Sequence, residues 1–228
     1  MRITVVIPLF NEEKHIAKVL EDISPYKLPV VVVDDGSTDN SKFKIQKECN
    51  ASRVKLGNVT LLQHKINLGK GAAMKTGADY AFANGAEAVI FVDADGQHDM
   101  TDLPKFIEAL ESGKYDVVFG SRNYGYGVPL VRYLGNKFAS VVMAAFFKIY
   151  VSDVVCGFKG LTKEAYKKIR WESSGYGVEA EIVARIGRNK LKHCEVPVKT
   201  IYLNKVKGVT ILDAFGIFGD VLKWKLSK

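Results

Sequence analysis

Ala88-Val89-Ile90-Phe91-Val92-Asp93-Ala94-Asp95-Gly96-Gln97 is an apolar run that breaks abruptly into two carboxylates spaced two residues apart. A continuous apolar stretch without polar alternation suits a strand buried on both faces, as in a parallel sheet. The same pattern recurs on either side of it. Ile3 to Ile7 reads as a first strand, followed by Pro8-Leu9-Phe10-Asn11-Glu12. Val30 to Val33 reads as a second, ending in Asp34-Asp35-Gly36-Ser37, and Val59 to Gln63 as a third, followed by Asn67-Leu68-Gly69-Lys70-Gly71. Ala88 to Val92 is the fourth, and Val117 to Phe119 the fifth, before Gly120-Ser121-Arg122. Helical spacing marks Glu12 to Ile23, and a helix is expected from about Ala72 to Asn84. Alternating strands and helices predict an α/β fold with a mostly parallel sheet covered by helices on both faces. Ligands of such sheets bind beyond the carboxyl ends of the strands, where the unusual polar residues of this chain accumulate.

With 228 residues, 47% of them apolar and 25% charged, the chain suits one folded domain, residues 1–228. The net charge of +8 favours an anionic partner: a phosphorylated substrate, an anionic membrane surface or nucleic acid. No nucleic-acid signature with interleaved aromatics is present, so nucleic acid is not expected. Cys49, Cys156 and Cys194 are widely spaced, with neither metal nor redox pairing. Their odd number and the lack of a signal peptide point to a reducing, cytoplasmic compartment. The apolar stretch Phe138 to Phe147, bounded by Lys137 and Lys148, falls short of the roughly 20 residues that span a bilayer, so any membrane contact is peripheral.

On an extended backbone, Asp93, Asp95 and Gln97 face one side and converge. Hard oxygen ligands of this kind suit Mg²⁺ or Mn²⁺, with substrate phosphates completing the shell. The competing reading is helix capping, which is expected in any case of Asp99 near Met100. An EF-hand is excluded, because Pro104 stands where its terminal glutamate belongs. The Asn67 to Gly71 segment fails the Walker pattern, with His64 where glycine is needed, and fails the dinucleotide fingerprint at Met74. It remains a glycine-permitted turn into a helix, either structural or able to approach an anion. Asp34 to Asp39 reads equally as turn-and-cap chemistry, with Ser37 or Asp39 as the cap, or as carboxylates for base and ribose donors. Arg122 ends a strand at the same edge with a fork suited to a diphosphate. The four histidines show no metal spacing; His98 stands out because it adjoins the acidic motif.

The last third differs. Leu130, Leu134, Phe138, Val141, Val142, Ala145, Phe146 and Ile149 form an apolar stripe ringed by Arg132, Lys137 and Lys148, and Ile211 to Lys225 forms a second amphipathic segment. These helices either lie in a membrane interface, with lysines on anionic headgroups, or pack against the sheet or a second copy in a homodimer.

In this order, Val6-Ile7-Pro8-Leu9-Phe10-Asn11-Glu12, Val33-Asp34-Asp35-Gly36-Ser37, Asn67 to Gly71, Asp93 to His98 and Gly120-Ser121-Arg122 resemble family two glycosyltransferases of the GT-A fold. Asp153-Val154-Val155-Cys156-Gly157-Phe158-Lys159 further resembles the branch that includes dolichyl-phosphate mannose and glucose synthases. The resemblance implies a Rossmann-like core over 1–125 that binds metal and a nucleotide-diphosphate sugar (UDP- or GDP-linked), and an acceptor side over 126–228. Pro8, Phe10, Glu12 and Asp35 would line the nucleoside pocket, with Lys70 and Ala94 also at the donor. Asp93, Asp95 and Gln97 would hold the metal, Asp95 and Arg122 would act in catalysis, and Arg122 would meet the donor phosphates. Arg132 and Lys137 would face donor or acceptor phosphate. Phe10 replaces a commoner tyrosine, and the basic loop after Val196-Pro197-Val198 offers Lys205 and Lys207 in place of the usual arginine. The implied reaction is an inverting transfer to a polyprenyl phosphate. A glycan or polysaccharide acceptor, a sugar nucleotidyltransferase and a non-enzymatic binding module are the rival readings.

Overall fold

The structure, a computed structural model, describes residues 1–50, 58–122, 130–175 and 177–201, together with 219, 221, 224 and 225. Seven strands form one sheet: β1 (Ile3–Leu9), β2 (Val30–Asp34), β3 (Val59–Gln63), β4 (Ala88–Phe91), β5 (Val117–Arg122), β6 (Lys159–Thr162) and β7 (His193–Val198), in the order β3-β2-β1-β4-β6-β5-β7. The expected parallel strands are present. β1 pairs in parallel with β2 and β4, and every residue of β1, β2 and β4 is buried.

β6 and β7 were not anticipated. β6 runs antiparallel between β4 and β5, opposing Phe91 and Phe119 with Lys159. Because β6 alone is reversed, its first residues lie at the edge where β1, β2, β4 and β5 end. The loop before it therefore reaches the same edge. β7 closes the sheet in parallel with β5.

The helices are α1 (Ile16–Ile23), α2 (Ser41–Asn50), α3 (Lys70–Ala83), α4 (Leu103–Glu111), α5 (Leu130–Phe147), α6 (Lys163–Ile169) and α7 (Val178–Asn189). They cover both faces, one core layer gathering around α3, α5 and α7 and the other around α1 and α4. α1 begins later than its periodicity predicts. The amides of Glu12 and Glu13 are taken by Ser41 Oγ at 3.2 Å and Asp39 Oδ2 at 3.0 Å, which holds that stretch as a turn. α3 approaches the sheet closely because Gly77 has no side chain; a Cβ there would lie 2.4 Å from Val6 Cγ1. That close approach carries Lys70, the first residue of α3, to the sheet edge.

α5 inverts a natural expectation. Asn136, Ser140, Met143 and Phe147 face inward, while Leu134, Phe138, Val141 and Ala145 face out. Asn136 accounts for its burial by donating to Ser152 O at 3.0 Å and accepting from Val154 N at 3.1 Å. Most of the second amphipathic segment, Ile211 to Lys225, lies outside the described residues. Of its end, Val221 is buried and Lys225 Nζ donates to Phe146 O at 2.8 Å, so that part packs against α5. Among the described residues, no helix is long and apolar enough to cross a membrane.

Candidate active site

Strand order reverses between β1 and β4, and the chain segments leaving these two strands flank a cavity of about 560 Å³. Its wall contains Pro8 near the end of β1, Phe10 and Glu12 after it, Asp35 after β2, Asp93, Ala94, Asp95 and Gln97 after β4, Lys70 at the start of α3, and Arg122 at the end of β5. These residues come from five separate stretches of chain. Lys137 is not part of the wall: its ammonium lies 5.8 Å from the centre of the Tyr133 ring and 3.4 Å from the Tyr150 hydroxyl. Lys205, Lys207 and the side chain of Arg132 lie outside the described residues.

The acidic motif behaves as two distinct acids. Burial alone would raise both carboxyl groups. For Asp93 the Lys70 ammonium and His98 outweigh burial and hold the carboxyl well below its usual range. At Asp95 burial and the neighbouring Asp93 charge outweigh the Gln97 amide, His98 and Lys70, and push the carboxyl up. Its Oδ1 accepts the Gln97 amide at 3.0 Å. His98 Nε2 lies 3.4 Å from Asp93 Oδ2, and the Asp93 carboxylate packs on Gly157, where a Cβ would come within 2.0 Å of it. Asp99 caps the following turn through the Thr101 amide at 2.9 Å, as its position predicted.

Among the described residues, five carboxylates line the cavity (Glu12, Asp35, Asp93, Asp95 and Glu179) against two formal cations, Lys70 and Arg122. Arg122 is itself paired: Nε reaches Asp153 Oδ2 at 2.6 Å and Nη2 reaches Oδ1 at 2.9 Å. This described part of the wall therefore carries excess negative charge, and a diphosphate enters it favourably with a compensating cation. Among the described residues, no three His, Cys, Asp or Glu side chains converge into a closed metal cage. Two carboxylates plus an amide oxygen suit Mg²⁺ or Mn²⁺, which keep open positions for phosphate oxygens and water. The donor set fits such an ion.

Asp34 and Asp35 divide the two readings of their motif. Asp34 is turn chemistry, accepting the Ser37 amide at 2.9 Å and Gln63 Nε2 at 3.2 Å. Asp39 supports the start of α2 through the Ser41 amide at 3.0 Å. Asp35 pins the turn before α3, accepting from Leu68 N at 2.9 Å and Gly69 N at 2.7 Å, with His64 Nδ1 at 2.6 Å. A carboxylate has about four acceptor positions, which leaves Asp35 capacity toward the cavity it also lines. Phe10, 43% exposed, presents its ring at the rim.

The Gly69-Lys70-Gly71 turn is not an open anion cradle. The amides of Gly71 and Ala72 point at Ser174 O, at 2.5 and 3.2 Å, and Trp171 Nε1 donates to Gly71 O at 2.8 Å. A Cβ on Gly71 would lie 2.1 Å from Ser173 O. The glycines admit a neighbouring backbone, which decides for the structural reading of that turn. Glu181 fixes the neighbouring segment through the amides of Glu172 and Ser173 at 2.9 and 2.7 Å.

Two acids escaped the reading of motifs. Asp153 lies inside a quoted segment but gave no sign of its partner, and Glu179 looks like an ordinary first-turn acid of α7. Glu179 is buried, and its Oε1 lies 2.7 Å from Lys70 Nζ.

Comparison with known proteins now bears on this geometry. The sequence model of glycosyl transferase family 2 matches residues 4–170. The chain belongs to glycosyl transferase family 2. A functionally uncharacterised protein of Methanocaldococcus jannaschii is 38% identical over 96% of this chain and 97% of its own. The UDP-N-acetylglucosamine--dolichyl-phosphate N-acetylglucosaminyltransferase of Methanococcus voltae is 32% identical, over 99% of this chain and 97% of its own. Among solved structures, glucosyl-3-phosphoglycerate synthase from Mycobacterium tuberculosis, in complex with Mn²⁺, UDP-glucose and phosphoglyceric acid, superposes with a TM-score of 0.71 at 21% identity, covering 98% of this chain and 78% of that one. The fold is thus of the GT-A type, and the family 2 chain is a glycosyltransferase.

Proposed function

We propose that this glycosyltransferase moves a hexose from a UDP- or GDP-sugar to a polyprenyl or dolichyl phosphate, with inversion at the anomeric carbon and with Mg²⁺ or Mn²⁺ bound. The observation that carries the donor half is the convergence of Asp93, Asp95, Lys70 and Arg122 on one cavity that Phe10 and Asp35 also line. Phe10 offers a face for the base, and the remaining acceptor capacity of Asp35 suits base or ribose donors. Asp93, Asp95 and Gln97 would hold the divalent ion, which when bound supplies positive charge for the departing diphosphate. Arg122, oriented by Asp153, lines the same cavity and brings a fixed positive charge to the departing diphosphate. The Mycobacterium tuberculosis structure supports this reading, since its complex contains Mn²⁺ and UDP-glucose.

Three things support the acceptor half. The Methanococcus voltae relative is named for transfer to dolichyl phosphate. The outward stripe of Leu134, Phe138 and Val141 gives an apolar face beside Lys148 that suits the edge of a bilayer. A phosphate monoester, whose second pKa is about 6, is largely dianionic at neutral pH and attacks without a strong protein base. Residues 1–125 would then serve the donor and residues 126–228 the acceptor and the membrane.

Incubating the protein with radiolabelled nucleotide sugars, polyprenyl phosphate and Mn²⁺ tests the proposal. A labelled lipid product that vanishes with chelator is expected. Absence of any metal-dependent lipid product across the donor panel rejects the acceptor. Label appearing instead on a soluble glycan would move the acceptor and keep the donor site.

A further inference from the structure

Lys70 Nζ sits 2.7 Å from Asp93 Oδ1 and 2.7 Å from Glu179 Oε1, and all three side chains are at most 24% exposed. The ammonium therefore occupies one of the two carboxylates assigned to the divalent ion. Its direct neighbours are acidic, and one further lysine lies close by. Lys159 belongs to the same electrostatic cluster as Lys70, Asp93 and Glu179, and its buried Nζ has no hydrogen-bond partner among the described residues. The amides at the start of α3 are already bonded to Ser174 O, so this end of the helix offers an incoming anion its side chain rather than its backbone.

We infer that Lys70 is the resident counter-cation of the metal site, and that it couples metal to nucleotide by exchanging Asp93 for a diphosphate oxygen. This rests on the reading of the cavity as a nucleotide-sugar site. A divalent ion arriving alone at Asp93 and Asp95 meets an ammonium already on Asp93, and the two like charges repel. With a diphosphate bound beside the ion, the ammonium would gain a new anion in place of Asp93. A lysine suits this exchange, because its charge is a compact point on a flexible stem. By linkage, whatever factor the nucleotide adds to metal affinity, the metal adds to nucleotide affinity. Lys70 is then a gate against metal without donor, and Glu179 is the anchor that keeps the ammonium close while Asp93 is engaged elsewhere.

The test measures free Mn²⁺ by electron paramagnetic resonance in titrations of the whole chain, with and without UDP or GDP. The wild type is expected to bind Mn²⁺ weakly alone and more tightly with nucleotide. Lys70→Met is expected to bind Mn²⁺ alone about tenfold more tightly than wild type, or better, and to gain less from nucleotide. Lys70→Arg, which keeps the charge, should behave as wild type toward the metal alone. Because Lys70→Met removes the ammonium that Asp93 and Glu179 share, Lys70→Met/Glu179→Gln is measured beside it, and Mn²⁺ alone should raise the melting temperature of both variants more than that of wild type. If neither methionine variant binds Mn²⁺ alone more tightly than wild type, while wild type still binds it with nucleotide, the gate is refuted and the donor site stands. If no variant takes up Mn²⁺ with any nucleotide, the donor site itself fails.

Discussion

Asp153 holds Arg122 through both carboxylate oxygens, at 2.6 and 2.9 Å, and also accepts the Arg122 backbone amide at 3.2 Å. The Asp153 side chain is 0% exposed and that of Arg122 is 18% exposed. The guanidinium that the sequence reserves for a diphosphate is therefore aimed by a buried acid from the loop before β6. Removing one member of a buried pair strands the other, at a cost of about 3–5 kcal/mol. Asp153→Asn should lower stability by about that amount and weaken nucleotide binding as Arg122 loses its orientation. Chemical denaturation and nucleotide titration measure the two effects; an unchanged unfolding midpoint would show that the pair contributes nothing.

Glu181 yields a pH prediction. Its side chain is 0% exposed, and it accepts the amides of Glu172 and Ser173 and Arg185 Nε at 2.6 Å. Burial opposes ionisation, but these bonds prevail and the carboxyl titrates below its usual value. The unfolded chain therefore binds this proton more readily. The stabilisation is present above the unfolded value of about 4.3 and is lost as pH falls through the folded value. Glu181→Gln should cost about 1.5–3 kcal/mol at pH 7 and flatten the fall in stability below about pH 4.5. Urea midpoints collected from pH 3 to 7 for both proteins provide the check.

Two glycines should respond oppositely to a methyl group. Gly71→Ala drives Cβ to 2.1 Å from Ser173 O, whereas at Gly135, inside α5, the same position has nothing within 4 Å among the described residues. Gly71→Ala should lose about 1–3 kcal/mol by overpacking. Gly135→Ala should gain about 0.5–1 kcal/mol from helix propensity. Thermal melts of the two variants decide. A neutral Gly71→Ala would mean that the 173–174 backbone is not seated on α3.

Leu134, Phe138 and Val141 are 54%, 60% and 61% exposed. Replacing all three by serine should leave the unfolding midpoint within about 0.5 kcal/mol per site while reducing co-sedimentation with anionic vesicles. A large loss of stability without a loss of vesicle binding would assign this face to protein contacts, such as a second copy of the chain.

Asp95→Asn retains shape and removes a charge from the acidic pair. Transfer at saturating Mn²⁺ should drop about a hundredfold or more, comparable to losing one group that stabilises transition-state charge. A drop of less than threefold in a transfer assay would place the metal elsewhere.

Much of the fold is legible in the sequence. β1, β2 and β4 are buried on both faces, so they read as unbroken apolar runs. β6 escapes such a reading because its four residues, Lys159-Gly160-Leu161-Thr162, carry no apolar run, and its lysine is buried by neighbours distant in sequence. β7 escapes for a related reason: His193 to Pro197 are not fully buried on this edge strand, so they alternate in character. α5 shows its period clearly, yet the period does not say which way the stripe faces. Here Asn136 points inward because the 152–154 loop supplies its partners, while Ser140 donates to Asn136 O of its own helix.

By itself the sequence determined the succession of apolar strands and helices and the collection of Phe10, Asp35, Asp93, Asp95 and Arg122 at one edge. It could do so because parallel strands joined by helices always end on the same side. Only the tertiary structure decided that β6 runs backward, that Asp153 takes Arg122, that Glu179 and Asp93 share Lys70, and that Ser174 covers the start of α3. Burial patterns are written locally and survive in the sequence. The pairing of charges and backbone groups across the edge depends on which strands become neighbours, and no local window contains that.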